Sequence, residues 1–186
     1  MTNNPHPQAP LQAGGERMAY LSIGSNIDAL RNVRRALALL RALPDVTRME
    51  VSSLYRTRAW GGATEAEFLN LAVALQTDLS ARRLLTRTQR IELALGRERS
   101  HRNAARTMDI DLLLIGAELH QDADLCVPHP GLLERDFMLL PLLEIAPDLC
   151  DPRTGEWLAD QCGRIRYRQI IERGPMPQGP EETSVS

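Results

Sequence analysis

The chain contains no lysine: all 22 of its basic side chains are arginine. A P-loop lysine, a protein-kinase strand lysine and a Schiff-base lysine are therefore excluded, and any phosphate chemistry must use guanidinium forks, metal ions and backbone amides. Cysteine is scarce. Cys126, Cys150 and Cys162 are odd in number and form no C-x-x-C pair, which argues against a disulfide framework or a zinc site and fits a reducing, cytoplasmic setting. Aromatic residues make up 4 % of the chain, so each one weighs more in reading a ligand pocket. No run approaches the roughly 18 apolar residues that span a bilayer, and the polar opening MTNNPHPQAPLQAGG is no signal core. With a formal net charge of -2, no global field selects nucleic acid or a membrane as partner.

What is present suits one globular domain: 186 residues, 43 % of them hydrophobic, enough for a core. Segments 1–17 and 174–186 are rich in Pro, Gly and polar residues and read as flexible tails around a single domain over 18–173. MAYLSIG reads as a strand that exits through Gly24-Ser25-Asn26. Asp28 is expected to cap a helix with an apolar stripe of Leu30, Val33, Leu37 and Leu40, stopped by Pro44. VTRMEVSSLYRT and EFLNLAVALQTD read as strands. Ser80 caps a second helix, with Leu84, Leu85, Thr88, Ile91 and Leu95 as its stripe and Gly96 as its stop. RTMDIDLLLI, residues 106–115, is a further strand and FMLLPLLEIAP is mostly helical. The order β-α-β-β-α-β predicts an α+β fold, a ferredoxin-like antiparallel sheet with helices packed against one face.

The 106–115 strand carries two aspartates. Residues two apart in a strand share a face about 7 Å apart, so Asp109 and Asp111 point together while Met108, Ile110, Leu112 and Leu114 are expected to point into the core. Carboxylates that close repel unless a cation lies between them, and an all-oxygen set suits Mg²⁺, with room for two ions. A solvated sheet face would also explain the pair. The surroundings favour the metal: Arg97, Arg99, His101, Arg102 and Arg106 precede it, and His129 and Arg135 follow. Carboxylates for metal beside a dense arginine segment match the needs of a bound polyphosphate.

The run R-N-A-A-R-T-M-D-I-D-L-L resembles the signature of the 6-hydroxymethyl-7,8-dihydropterin pyrophosphokinases, and YLSIGSN, VSSLYRT, EFLNLAV, TQRIELALGRER and VPHPGLLERDFMLLPLLEIAP stand in the order that family has them. The resemblance implies a monomeric ferredoxin-like enzyme of folate biosynthesis that transfers pyrophosphate from its co-substrate ATP to the pterin hydroxymethyl group, releasing AMP. It implies that Asp109 and Asp111 ligate two Mg²⁺ ions, and that Arg97 and Arg106 act with them on the phosphates. The same resemblance assigns Gln89, Glu92, Arg99, Leu112, His129 and Arg135 to ATP. For the pterin it implies Gly24, Thr57, Phe68, Asn70 and Phe137, with Trp60 as an added ring contact. Flat heterocycles want stacking faces and a few fixed polar partners. The chain departs from the family near the signature: Asn103-Ala104-Ala105 stand where many members have Trp-Gly-Pro, and the loop from Gly96 to Arg106 is shorter than the family's by about one residue. A catalytically silent nucleotide-binding module is the alternative from another class. Single-strand nucleic-acid binding is disfavoured, because the expected sheet face carries acids rather than stacking rings with basic neighbours.

Overall fold

A computed structural model of the protein describes residues 15–59, 66–96 and 108–175. In chain order its elements are β1 (Arg17–Ser25), α1 (Ala29–Arg41), β2 (Val46–Val51), β3 (Tyr55–Thr57), β4 (Phe68–Thr77), α2 (Ala81–Ala94), β5 (Asp109–Ile115), the short hairpin β6 (His120–Gln121) and β7 (Cys126–Val127), α3 (Asp136–Ile145), a 3₁₀ turn (Ala159–Arg164) and β8 (Ile170–Arg173). The main sheet runs β5-β1-β4-β3-β8, with β2 also paired to β4, and the pairings are antiparallel. This is the ferredoxin-like arrangement, extended by β3, β8 and α3.

Helix α1 buries Val33, Ala36, Leu37 and Leu40, an i, i+3, i+4, i+7 stripe. Leu30, expected in that stripe, is 41 % exposed. Asp28 does not cap: it takes a left-handed conformation at φ 42 without a side-chain cap bond, and Asn32 Nδ2 instead donates to the Ile27 carbonyl at 2.7 Å. Ser80 does cap α2, accepting from the Arg83 N–H, and Gly96 ends it at φ +84, a conformation that costs glycine little. The expected single strand over 46–57 is broken between β2 and β3. There Ser52 Oγ accepts from the Ala72 N–H at 2.9 Å, a side chain standing in for a ladder partner.

Helices cover both sheet faces, not one. Against the first lie α1 and α2, meeting Leu21, Ile23, Leu71, Val73, Leu75, Ile110 and Leu112. On the other, α3 supplies Met138, Leu139 and Leu142 to a second cluster with Tyr20, Ala72, Ala74, Leu113 and Leu114. Leu114 therefore sits opposite to the side its numbering predicts. The β1–β5 register shifts between Tyr20 and Leu21, and one extra residue in a strand reverses its alternation beyond that point. Asp109 and Asp111 precede the bulge and keep the expected face.

Candidate active site

The face that α3 only partly covers carries most of the described candidates. Gly24 on β1 is paired with Asp109 on β5 and with Asn70 on β4, and Asn70 is paired with Tyr55 on β3. These four share one row across four strands, neighbours about 4.8 Å apart. The adjoining row places Asp111 opposite Ser22 and Ala72, and Phe68 lies opposite Thr57. Gly24 is required by its neighbour: a Cβ there would lie 2.6 Å from Asn70 Oδ1. The glycine thus leaves a gap in the row between carboxylate and amide, with Phe68 at its rim.

The Asn70 side is built tightly. Asn70 is 4 % and Thr57 2 % exposed, and Asn70 Nδ2 donates to Thr57 Oγ1 at 2.8 Å. That bond fixes which way the amide points, turning Oδ1 toward Gly24 as an acceptor. Tyr55, also buried, donates its hydroxyl to Glu144 Oε2 at 2.7 Å. Burial and that carboxylate push the phenol up to about 12, so it stays a donor at neutral pH.

On the carboxylate side, Asp109 and Asp111 are half-buried. β5 is an edge strand, so the Ile110 N–H between them points away from β1, and buried Glu92 from α2 accepts it at 2.8 Å. A carboxylate accepting a buried amide is a strong anchor. The structure thus gives Glu92 a backbone partner in the aspartate strand, while Gln89 lies half-buried one turn earlier on α2. Leu112, expected at the nucleotide, is 5 % exposed and its side chain is committed to the α1/α2 core.

His129 Nε2 lies 4.0 Å from Asp111 Oδ1, and its Nδ1 accepts the Gly131 N–H at 3.0 Å. Burial pushes the imidazole down to about 4; the Arg135 guanidinium adds to this and the Asp109 carboxylate opposes it. The ring is therefore neutral at pH 7, with its proton on Nε2 facing Asp111. At 4.0 Å the approach is neither an ion pair nor a direct hydrogen bond. Arg135 lies across Gly131, where a Cβ would come 2.9 Å from its Nε, and its guanidinium stands 6.0 Å from the Phe137 ring centroid. That places a cation against Phe137 near the limit of a cation–π contact.

Asp109, Asp111, His129, Arg135, Gly24, Asn70, Thr57, Phe68 and Phe137 thus fall on one side of the sheet or at the start of α3. Arg97, Arg99, Arg106 and Trp60 lie outside the described residues. Among the described residues no group of three His, Cys, Asp or Glu side chains could hold a metal ion. Two half-buried carboxylates alone still fit Mg²⁺, which keeps several waters and completes its shell from substrate phosphates rather than from an all-protein cage. No described helix is long and apolar enough to cross a membrane. Residues that sequence reasoning missed are Tyr55, Glu92 as an anchor of β5, and Asp136; their roles depend on partners 18 to 89 positions away, a distance no local pattern reports.

Residues 20–147 match the family model of 7,8-dihydro-6-hydroxymethylpterin-pyrophosphokinase (HPPK). The chain belongs to the HPPK family. A 2-amino-4-hydroxy-6-hydroxymethyldihydropteridine pyrophosphokinase of Bacillus subtilis is 46 % identical over 129 residues, covering 69 % of this chain and 77 % of its own length. The enzyme of that name from Haemophilus influenzae is 35 % identical, covering 73 % of this chain and 86 % of its own length. By structure, wild-type Plasmodium falciparum HPPK-DHPS aligns at a TM-score of 0.61 and 13 % identity, covering 82 % of this chain and 45 % of that longer one. At that identity the likeness concerns the HPPK fold alone.

Proposed function

We infer that the protein transfers the β,γ-pyrophosphoryl group of ATP to the hydroxymethyl oxygen of 6-hydroxymethyl-7,8-dihydropterin. The observation that carries this, within an HPPK-family chain, is the row Asp109–Gly24–Asn70. A carboxylate suited to a phosphate-bound cation and an amide suited to a heterocycle edge face the same gap from the two strands that flank β1. The hydroxymethyl oxygen attacks the β-phosphorus, the bond from that phosphorus to the oxygen bridging it to the α-phosphorus breaks, and AMP leaves with that oxygen. The hydroxyl proton passes to solvent.

Asp109 and Asp111 are the residues that would hold two Mg²⁺ ions. When bound, such ions neutralise charge on the β- and γ-phosphate oxygens and lower the pKa of a coordinated hydroxyl. Neutral His129 offers Nε2–H as a donor beside Asp111, and Arg135 offers its guanidinium to the nucleotide. Arg97 and Arg106 are assigned to the transferring phosphates, Arg99 and Gln89 to the nucleotide, and Glu92 to the strand that carries the aspartates. Asn70 reads the pterin edge from a fixed amide, Thr57 fixes that amide, Gly24 leaves the space, and Phe68 and Phe137 offer ring faces, with Trp60 as a further one. The protein acts as a single-domain cytoplasmic monomer.

The test is product identity. Incubation with ATP, Mg²⁺ and the reduced pterin should yield AMP and the pterin diphosphate in equal amounts, and chelation of Mg²⁺ should stop the reaction. ADP as the product would replace pyrophosphoryl with γ-phosphoryl transfer, and no nucleotide product at all would leave a binding module.

A further inference from the structure

The segment after the 3₁₀ turn touches both sides of the site. The Arg166 and Tyr167 N–H groups donate to the Glu134 carbonyl at 2.9 Å, and the Asp136 N–H donates to the Tyr167 carbonyl at 3.1 Å. Three residues on, the Ile170 N–H donates to Asp136 Oδ2 at 3.1 Å. Ile170 is in turn the register partner of Thr57. Beside it, the Arg58 N–H donates to the Gln169 carbonyl at 2.9 Å and Gln169 Nε2 donates back to the Arg58 carbonyl at 3.1 Å. Residues 166–173 therefore run from the backbone that presents Arg135 and Phe137 to the backbone that presents Thr57. Residues 148–175 also lie beyond the stretch that matches the family model.

Asp136 is the joint of this strap. It stands between Arg135 and Phe137, is 4 % exposed, and its Oδ1 is buried without a hydrogen-bond partner among the described residues. A carboxylate buried with one oxygen unmatched is a poor source of stability. What it does supply is a fixed acceptor that ties the start of α3 to β8. We propose that Asp136 is a positioning residue that, through Ile170 and Gln169, holds Thr57 and Arg58 in register with Phe137. The consequence for the reaction rests on the reading of Thr57 and Phe137 as pterin-lining residues.

Steady-state kinetics on the full chain separate this role from bulk stability. Asp136→Ala should raise the pterin KM about fivefold, with the ATP KM within about twofold of wild type. Asp136→Asn keeps an acceptor oxygen and should restore the pterin KM. Gln169→Ala removes only the side-chain bond to Arg58 and should raise the pterin KM by a smaller factor, about twofold. In parallel, amide hydrogen exchange on the same proteins should be faster at residues 57 and 58 in Asp136→Ala than in wild type. Two results overturn the proposal: an unchanged pterin KM with unchanged exchange at 57 and 58, or an Asp136→Asn variant as impaired as the alanine. A wild type that forms no AMP would fail the functional reading instead, and the exchange comparison then decides the strap alone.

Discussion

Asn70 and Asp109 flank Gly24 in one cross-strand row, yet Asn70 is buried and tied to Thr57 while Asp109 is half exposed. The amide side is assembled by neutral hydrogen bonds from β3 and β4 and needs nothing further to hold its geometry. The carboxylate side concentrates negative charge, with a neutral His129 and the Arg135 guanidinium beside it. Neutral, directional groups can be preorganised in the empty protein, because a satisfied hydrogen bond costs little to bury. Two like charges cannot be packed so tightly without a counter-ion, since each raises the energy of the other. On the proposed assignment, the amide side is therefore preorganised by the fold, while the carboxylate side is the one suited to take up a cation.

Substitutions on the two sides should fail in different ways. The largest effect is expected from Asp111→Ala: turnover should fall by several kcal/mol, about 10³-fold, with an unchanged thermal midpoint because the side chain lies off both cores. Substantial activity in a folded Asp111→Ala protein would remove the aspartate from the metal set. Arg106→Ala should lower kcat about 10²-fold with pterin affinity intact; wild-type rates would take it out of the site.

Gly24→Ala tests the opposite side. Its Cβ must displace the Asn70 amide, so the pterin KM should rise about tenfold and stability should fall by roughly 1–3 kcal/mol. Binding of a non-hydrolysable ATP analogue, measured by calorimetry, should change less. Equal weakening of both ligands would mean that the two sides are not independent.

The smallest effect is a pH dependence of stability in the metal-free protein. The folded-state pKa of His129 is held down to about 4, below the ordinary value of 6.5, so the unfolded chain binds more protons between these values. The contribution is complete above pH 6.5 and is lost as pH falls toward 4. Glu144 acts in the same direction at lower pH, its carboxylate held below the usual range by the Tyr55 and Ser53 donors and by Arg173, against the opposing effect of burial. The thermal midpoint should drop by several degrees across the His129 window, and His129→Gln should flatten that limb. A wild-type midpoint independent of pH from 6.5 to 4 would contradict a buried neutral imidazole.

Much of this was legible in the chain itself. Hydrophobic period placed β1, α1, β4, α2, β5 and α3, because each buries a stripe or face whose spacing follows its own geometry. Capping chemistry placed Ser80 and Gly96 correctly. It failed at Asp28, which stands in a left-handed turn and makes no side-chain cap bond. Alternation assigned Asp109, Asp111, Ile110 and Leu112 to their faces and failed at Leu114, because a bulge is a property of two strands. The aspartate pair, the arginine-rich surroundings and the family blocks were local as well, and they led to the polyphosphate and the pterin.

Tertiary structure alone decided the rest. That Gly24 separates Asp109 from Asn70 depends on the order β5-β1-β4, which brings together positions 85 residues apart in one direction and 46 in the other. The neutral state of His129 depends on what buries it, the anchoring of Ile110 on a carboxylate 18 positions earlier, and the strap at Asp136 on a strand 34 positions later. Residue type and spacing determine which chemistry a segment can perform. Hydrogen-bond geometry and desolvation act only between groups already in contact, so protonation state, the orientation of an amide and the joining of distant segments belong to the folded molecule.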